Sequence, residues 1–242
     1  MNIAIIGYGR MGHEIERILL ERGHQIKFII DQDNFEEIHD LNNNPVDVAI
    51  EFTNPTSAYT NIQHCFNANI PVISGTTGWT DKLDKLKQIS IHENKGFLYA
   101  SNFSLGVNVL FAMNKMLAKI MNAFPAYAVT IEETHHTKKL DSPSGTAITL
   151  AQGIINNIDR LNSWNLADHS TDDILGINSI RRGEVPGIHE IKYESSFDTL
   201  QLSHSAKSRV GFALGAVLAA EFMQNKKGFF EMNDVLQLNN AK

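Results

Sequence analysis

The chain has 242 residues, 43% apolar and 20% charged, with a net charge of −6. That length supports a full hydrophobic core in one large or two modest domains, while the acidic balance excludes a global attraction to nucleic acid or to an anionic membrane, so any anion site has to be local. Cys65 is the only cysteine, which excludes an intrachain disulfide, and the most apolar late run, 210–220, is too short to span a bilayer.

The chain enters a strand pattern at once, leaving no room for a signal peptide, so a cytoplasmic protein is expected. Residues 3–6 are a continuous apolar run, the pattern of a strand buried on both faces of a parallel sheet. It leads into Gly7, Tyr8, Gly9, Arg10, Met11 and Gly12, and then into apolar positions at helical spacing, Met11, Ile15, Ile18 and Leu19, that stop at Gly23. A second strand over 25–30 ends at Asp31, nineteen residues after Gly12. Strand, Gly-x-Gly-x-x-Gly, helix, strand and acid is the order of a dinucleotide site: the glycines admit a pyrophosphate and the acid accepts from an adenosine ribose. Asp31 and Asp33 repel a 2′-phosphate and Gln32 cannot pair with one. NADH is therefore the expected cofactor, with NADPH kept open by Arg10.

Alternation continues with strands over 46–52, 71–74 and 97–100 and helices over 56–67 and 81–93, which implies right-handed crossovers and a doubly wound parallel sheet. The loops after these strands, holding Phe52 and Thr53, then Gly75 to Gly78, then Ala100 to Phe103, are expected to border the cofactor. A long apolar helix over 107–121 follows, then a strand over 126–132.

That strand feeds the densest chemical stretch, 133–146, with Glu133, His135, His136, Lys138, Lys139 and the turn Ser142, Pro143, Ser144, Gly145, Thr146. Pro143 suits a first helical turn, the serines suit caps, and the helix that opens here presents free N–H groups and a positive dipole end to a carboxylate or phosphate. A histidine with a reference pKa of about 6.5 becomes a charged proton donor when a dianion binds beside it. No metal is expected: adjacent histidines on a strand point to opposite faces, and neither Cys nor carboxylate stands at ligand spacing. Residues 157–173 are polar and irregular. Strands over 177–181, 187–194 and 199–204 read as antiparallel parts of a second domain. A helix over 208–224 and a short helix over 228–236 then return to the first domain.

Taken together, Gly7 to Gly12, Gly75 to Gly78, Ser101 to Ser104, Glu133 to His136 with Lys139, Asp141 to Thr146, Arg181 to Gly183, Gly187 to His189 and Ser208 to Ala216 resemble the bacterial-type 4-hydroxy-tetrahydrodipicolinate reductases of lysine and diaminopimelate biosynthesis. The resemblance spans the chain. It implies a Rossmann-like α/β domain of residues 1–106 and 209–242, and an α+β substrate and oligomerisation domain of 107–208 with an open mixed sheet that assembles homotetramers. It implies reduction of a cyclic dicarboxylate by NAD(P)H, hydride going to ring C4 after the 4-hydroxyl leaves as water. His135 matches the general acid and Lys139 the lysine of substrate binding and proton transfer, while His136, Ser144, Gly145 and Thr146 match carboxylate holders. Gly7, Tyr8, Gly9, Arg10, Met11, Asp31, Phe52, Thr53, Gly75, Thr77, Ala100, Asn102, Phe103 and Arg209 match the cofactor's surroundings. Two rival readings are a reductase for another small diacid, which has no need of the His-His and Pro-Ser-Gly-Thr arrangement, and a non-catalytic NAD-sensing regulator, for which the chain has no basic helix-turn-helix.

Overall fold

The computed structural model describes residues 1–238. In chain order it has β1 (Asn2–Ile6), α1 (Arg10–Glu21), β2 (Gln25–Ile30), β3 (Val48–Glu51), α2 (Ala58–Asn67), β4 (Val72–Ser74), α3 (Leu83–His92) and β5 (Gly96–Tyr99). Next come α4 (Leu105–Met121), β6 (Ala128–His135), α5 (Gly145–Ile155), β7 (Ser163–Leu166), β8 (Ile174–Arg181), β9 (Ile188–Glu194) and β10 (Thr199–Ser205). The last elements are α6 (Val210–Met223), β11 (Gly228–Phe230) and α7 (Met232–Val235). The chain divides into two compact units, one of Met1–Leu105 with the segment from Arg209 onward, the other of Gly106–Ser208.

The first unit is a Rossmann-like α/β unit, a six-stranded parallel sheet in the order β11-β5-β4-β3-β1-β2 with helices on both faces. Side chains on a strand alternate in direction, so one apolar run can supply two cores. Ile3 and Ile5 enter a core with Ile15, Ile18 and Leu19 of α1 and with Ala213, Ala216, Val217 and Ala220 of α6. Ala4 and Ile6 enter the opposite core with Ala58, Ile62, Cys65 and Phe66 of α2, Leu86 of α3, and Ile38 and Leu41 of a kinked 3-10 segment, Gln32–Asn43. Gly7 turns the chain out of β1 at φ +96, and a Cβ there would stand 2.1 Å from the Phe52 carbonyl oxygen, so the first glycine of the fingerprint is required by both conformation and space. The segment 228–236, expected as one helix, departs from that expectation. Gly228–Phe230 pairs with the open edge of β5, Phe229 packs 5.5 Å from Phe97, and only Met232–Val235 is helical.

The second unit is a five-stranded mixed sheet in the order β10-β9-β6-β8-β7. β9 runs antiparallel to β6 and β10, as expected of late strands, but β8 is parallel to both β6 and β7. The reason lies in the connection: β6 is followed by the crossover helix α5 rather than by a hairpin, which returns the chain in the same direction. β7 was hidden in the polar segment 157–173. Its side chains are largely exposed at the sheet edge, so no apolar alternation marks it. Val129, Ile131, Leu175, Ile177, Ile191 and Tyr193 of the sheet pack with Leu110 and Ala118 of α4 and Ala147, Leu150 and Ile154 of α5. Among the described residues, no helix is long and apolar enough to cross a membrane.

The sharpest packing constraint in the first unit is Gly215 on α6, where a Cβ would lie 1.8 Å from the Phe103 carbonyl oxygen. Gly215→Ala is expected to destabilise the protein by about 1–3 kcal/mol through overpacking. Gly211→Ala on the same helix, where a Cβ meets nothing within 4 Å, should instead stabilise by about 0.5–1 kcal/mol. Urea unfolding of the two variants separates these outcomes.

Candidate active site

At the carboxyl ends of the first unit's strands lies a cleft of about 720 Å³, a volume suited to a small-molecule ligand. Gly7, Tyr8, Gly9, Asp31, Phe52 and Thr53 line it, joined by Gln32, Asp33, Phe35, Asn54 and Asn61. A Cβ on Gly9 would meet nothing within 4 Å, which leaves its backbone open to a ligand. Tyr8 is held against α1 by a hydrogen bond from its hydroxyl to Glu16. Asn34 fixes the backbone at Asp31 by accepting from the Asp31 N–H at 2.8 Å. Arg10 is exposed at the start of α1, whereas Met11 packs against the core.

The remaining residues expected near a cofactor are outside this lining. Gly75 abuts the Phe52 ring, which a Cβ would strike at 2.2 Å. Thr77 is exposed, Ala100 is half-buried, and Asn102 accepts from the Ser104 N–H at 2.8 Å. Phe103 is a core residue, 5.4 Å from Phe52, and Arg209 is the exposed N-cap of α6. One organising residue escaped the sequence reading. Glu51, wholly buried at the end of β3, accepts from the Thr53 N–H (3.1 Å), Thr53 Oγ1, Ser74 Oγ (2.6 Å) and Thr76 Oγ1 (2.8 Å). It ties the loop after β3 to the loop after β4.

In the second unit, β6 runs further than expected and carries His135 as its last residue. Strand register then assembles the site: His135 stands opposite Arg181 on β8, and Glu133 opposite His189 on β9. Glu133 has no exposed surface. Its carboxylate accepts from the Ser144 N–H (3.0 and 3.2 Å), Ser179 Oγ (2.5 Å) and the Arg181 guanidinium (3.3 and 3.4 Å), and it lies 3.5 Å from His135 Nδ1 and 3.7 Å from His189 Nε2. A carboxylate therefore does stand beside the histidines, two residues along the same strand face, with its oxygens and the ring nitrogens within 4.8 Å of one another. Arg181 opposes a cation there, and the carboxylate is already bonded by the Ser144 N–H, the Ser179 hydroxyl and the Arg181 guanidinium, so we read the group as a hydrogen-bonded carboxylate paired with Arg181.

Ser144 caps α5, as expected of the serines, its hydroxyl accepting from the Ala147 N–H at 3.2 Å, whereas Pro143 stands before the cap and not in the first turn. Because the amide and hydroxyl of Ser144 are both engaged and the residue is buried, Gly145 and Thr146 form the accessible part of this helix end. Gly145 is exposed, with nothing within 4 Å of where a Cβ would stand. Lys139 pairs with Asp141 at 2.7 Å, and Arg181 donates to the Asp141 carbonyl at 2.6 Å, which fixes the connecting loop. His136 lies just past the strand, and its Nδ1 has no hydrogen-bond partner.

These surroundings set the charges. Burial lowers the pKa of His135, an effect opposed by Glu133 and reinforced by Lys139 and Arg181. For Glu133, burial raises the pKa, but hydrogen bonds from Ser144 and Ser179 and the nearby His135 outweigh it and hold the group below the usual carboxylate range. Burial above all, then His135, pushes His189 down to about 4.

The chain matches the family model for "Dihydrodipicolinate reductase, N-terminus" over residues 1–103 and that for "Dihydrodipicolinate reductase, C-terminus" over residues 106–236. It is 53% identical to a 4-hydroxy-tetrahydrodipicolinate reductase of Christiangramia forsetii, with 98% of each chain covered. A protein of the same description from Staphylococcus haemolyticus is 33% identical over 97% of this chain and 100% of its own. A solved structure, a dipicolinate-bound dihydrodipicolinate reductase from Paenisporosarcina sp. TG-14, has the same fold at a TM-score of 0.73 and 22% identity, covering 96% of this chain and 97% of that one.

The His189 shift has a consequence for stability. With a folded pKa of about 4 and an unfolded value of about 6.5, the unfolded chain binds more protons between these limits. Stability is therefore expected to fall as pH drops from about 6.5 towards 4, by on the order of 2–3 kcal/mol. His189→Gln should flatten this part of the profile, as measured by urea unfolding at pH 7 and pH 4.5.

Proposed function

The chain belongs to the dihydrodipicolinate reductase family, oxidoreductases of lysine and diaminopimelate biosynthesis, and from this premise we propose how its own residues carry the reaction. The substrate is 4-hydroxy-tetrahydrodipicolinate, which loses its 4-hydroxyl as water, takes hydride at ring C4 and takes up one proton to become tetrahydrodipicolinate. A reduced nicotinamide, when bound, supplies the hydride.

The observation that carries the second unit's part is the meeting of His135, Arg181 and the start of α5 around buried Glu133. The N-terminal end of α5 at Gly145 and Thr146, with Lys139 and His136, holds the two substrate carboxylates. His135 gives its proton to the ring as electron density moves into it. In the free protein burial works against a charged His135, so the substrate's negative charge is what fills its acidic form. Ser144 acts through the cap that presents Gly145 and Thr146.

The cleft of the first unit fits a dinucleotide. Gly7 makes the turn at its floor, Gly9 brings open backbone there, and the Asp31 carboxylate accepts from ribose hydroxyls. Asp31, Gln32 and Asp33 line that cleft, and among the described residues its lining includes no arginine or lysine. NADH is the preferred cofactor on this reading, with NADPH the weaker one. Phe52, Thr53, Gly75, Thr77, Ala100, Asn102, Phe103 and Arg209 flank the nicotinamide portion, while Tyr8, Arg10 and Met11 complete the phosphate turn. The protein works in the cytoplasm as a homotetramer, using the sheet face of the second unit that its helices leave uncovered.

Absorbance of the reduced nicotinamide, followed with enzymatically generated hydroxy-tetrahydrodipicolinate, tests the reading. Substrate-dependent oxidation is expected, faster with NADH than with NADPH. His135→Gln should lower kcat by about 10²–10⁴-fold, and Lys139→Ala should lower kcat and raise KM. Near-normal kinetics in both variants would remove these roles.

A further inference from the structure

Glu133 is a buried carboxylate that the reaction as described does not use, yet it sits behind the group assigned as proton donor. Oε2 lies 3.5 Å from His135 Nδ1, an ion-pair distance with no hydrogen bond formed in this state. Catalytic contacts of this kind are often long before substrate binds and tighten afterwards. The other ring nitrogen points elsewhere: a Cβ on Gly187 would stand 3.1 Å from His135 Nε2. Gly187 has φ +157 and no side chain, so the flank of Nε2 is kept clear. One nitrogen of His135 thus faces a fixed negative charge and the other faces Gly187, a residue without a side chain.

We propose that Glu133 is the positioning residue for His135, holding the Nδ1–H inward and leaving Nε2 as the proton-donating atom, and that Gly187 is there to keep Nε2 unobstructed. The arrangement follows the logic of an acid that orients a catalytic imidazole and stabilises its charged form. It rests on the assignment of His135 as general acid. The same carboxylate binds the Ser144 N–H at the start of α5 and the Arg181 guanidinium. Orientation of the donor and placement of the anion-binding helix end are thereby set by one group.

The charges facing His135 come from several elements: Glu133 on its own strand, Lys139 and Asp141 on the following loop, Arg181 on β8, and His189 on β9, with His204 on β10 beyond it. Lys139 and Arg181 disfavour the imidazolium, whereas Glu133 and Asp141 favour it. Removing the Glu133 charge should make His135 a stronger acid that loses its proton at lower pH.

The test is the pH dependence of kcat for the full-length protein, its Glu133→Gln and Glu133→Asp variants and His135→Gln. With Glu133→Gln, the alkaline limb of kcat is expected to move down by about one pH unit, a roughly tenfold loss at the pH just above it. KM should change far less, and Glu133→Asp should return the limb towards its original place. Loss of activity with an unmoved limb would assign Glu133 to structure alone and overturn the proposal. Near-normal kcat in His135→Gln would instead reject the general-acid reading, so the two failures are distinguishable. Should Glu133→Gln not fold, long-range ¹H–¹⁵N correlation of the unaltered protein decides: neutral His135 is expected to carry its proton on Nδ1, and an Nε2–H tautomer would overturn the assignment.

Discussion

A carboxylate without exposed surface stays charged only when its oxygens are bound, and the second unit is arranged around that requirement at Glu133. The donors that satisfy it come from separate elements: the Ser144 N–H at the start of α5, the Ser179 hydroxyl and the Arg181 guanidinium on β8. Each of these is thereby fixed in position relative to β6, which carries both Glu133 and His135. Truncating such a group would strand several polar partners at once, a larger penalty than the loss of one hydrogen bond. The start of α5 and the end of β8 are both tied to the strand that carries His135 through one buried carboxylate.

The first unit repeats the device with Glu51. There the donors are hydroxyls and an amide from Thr53, Ser74 and Thr76, and what is fixed is the relation between two loops at strand ends. Loops carry function but are the least ordered parts of a fold. A buried acid at the root of the loops gives them the rigidity of the sheet. The glycines do complementary work, since Gly7 and Gly75 allow the backbone and the Phe52 ring to approach where any side chain would collide.

Much of this was legible in the residues, for reasons that also explain the omissions. The run Ile3 to Ile6 announced a strand buried on both faces because both faces are in fact core. The glycine turn, the acid at Asp31 and the helix opening after Pro143 were readable since each depends on local backbone requirements. β7 and β11 were not: a short edge strand needs no apolar pattern, and Gly228–Phe230 is stabilised by an open edge more than a hundred residues earlier in the chain. The parallel direction of β8 was missed for the same reason, because direction belongs to connections and not to strands. Glu51 and the grouping of Glu133 with His135, His189 and Arg181 depend on register between distant strands. No spacing within a single segment reports that.

The division of the chain has a bearing on how the protein is made. The second unit is one uninterrupted segment, Gly106–Ser208, whereas the first is split between the two ends. Domains fold as units while synthesis proceeds from the N-terminus. Yet one core of the first unit lacks Ala213, Ala216, Val217 and Ala220 until α6 has been translated, and β5 keeps a bare edge until β11 arrives. The segment that begins first on the ribosome is therefore completed last, with apolar sheet surface uncovered throughout the synthesis of the segment between. That half-built sheet, with apolar surface and an open strand edge, is the stage of synthesis most exposed to association with other chains.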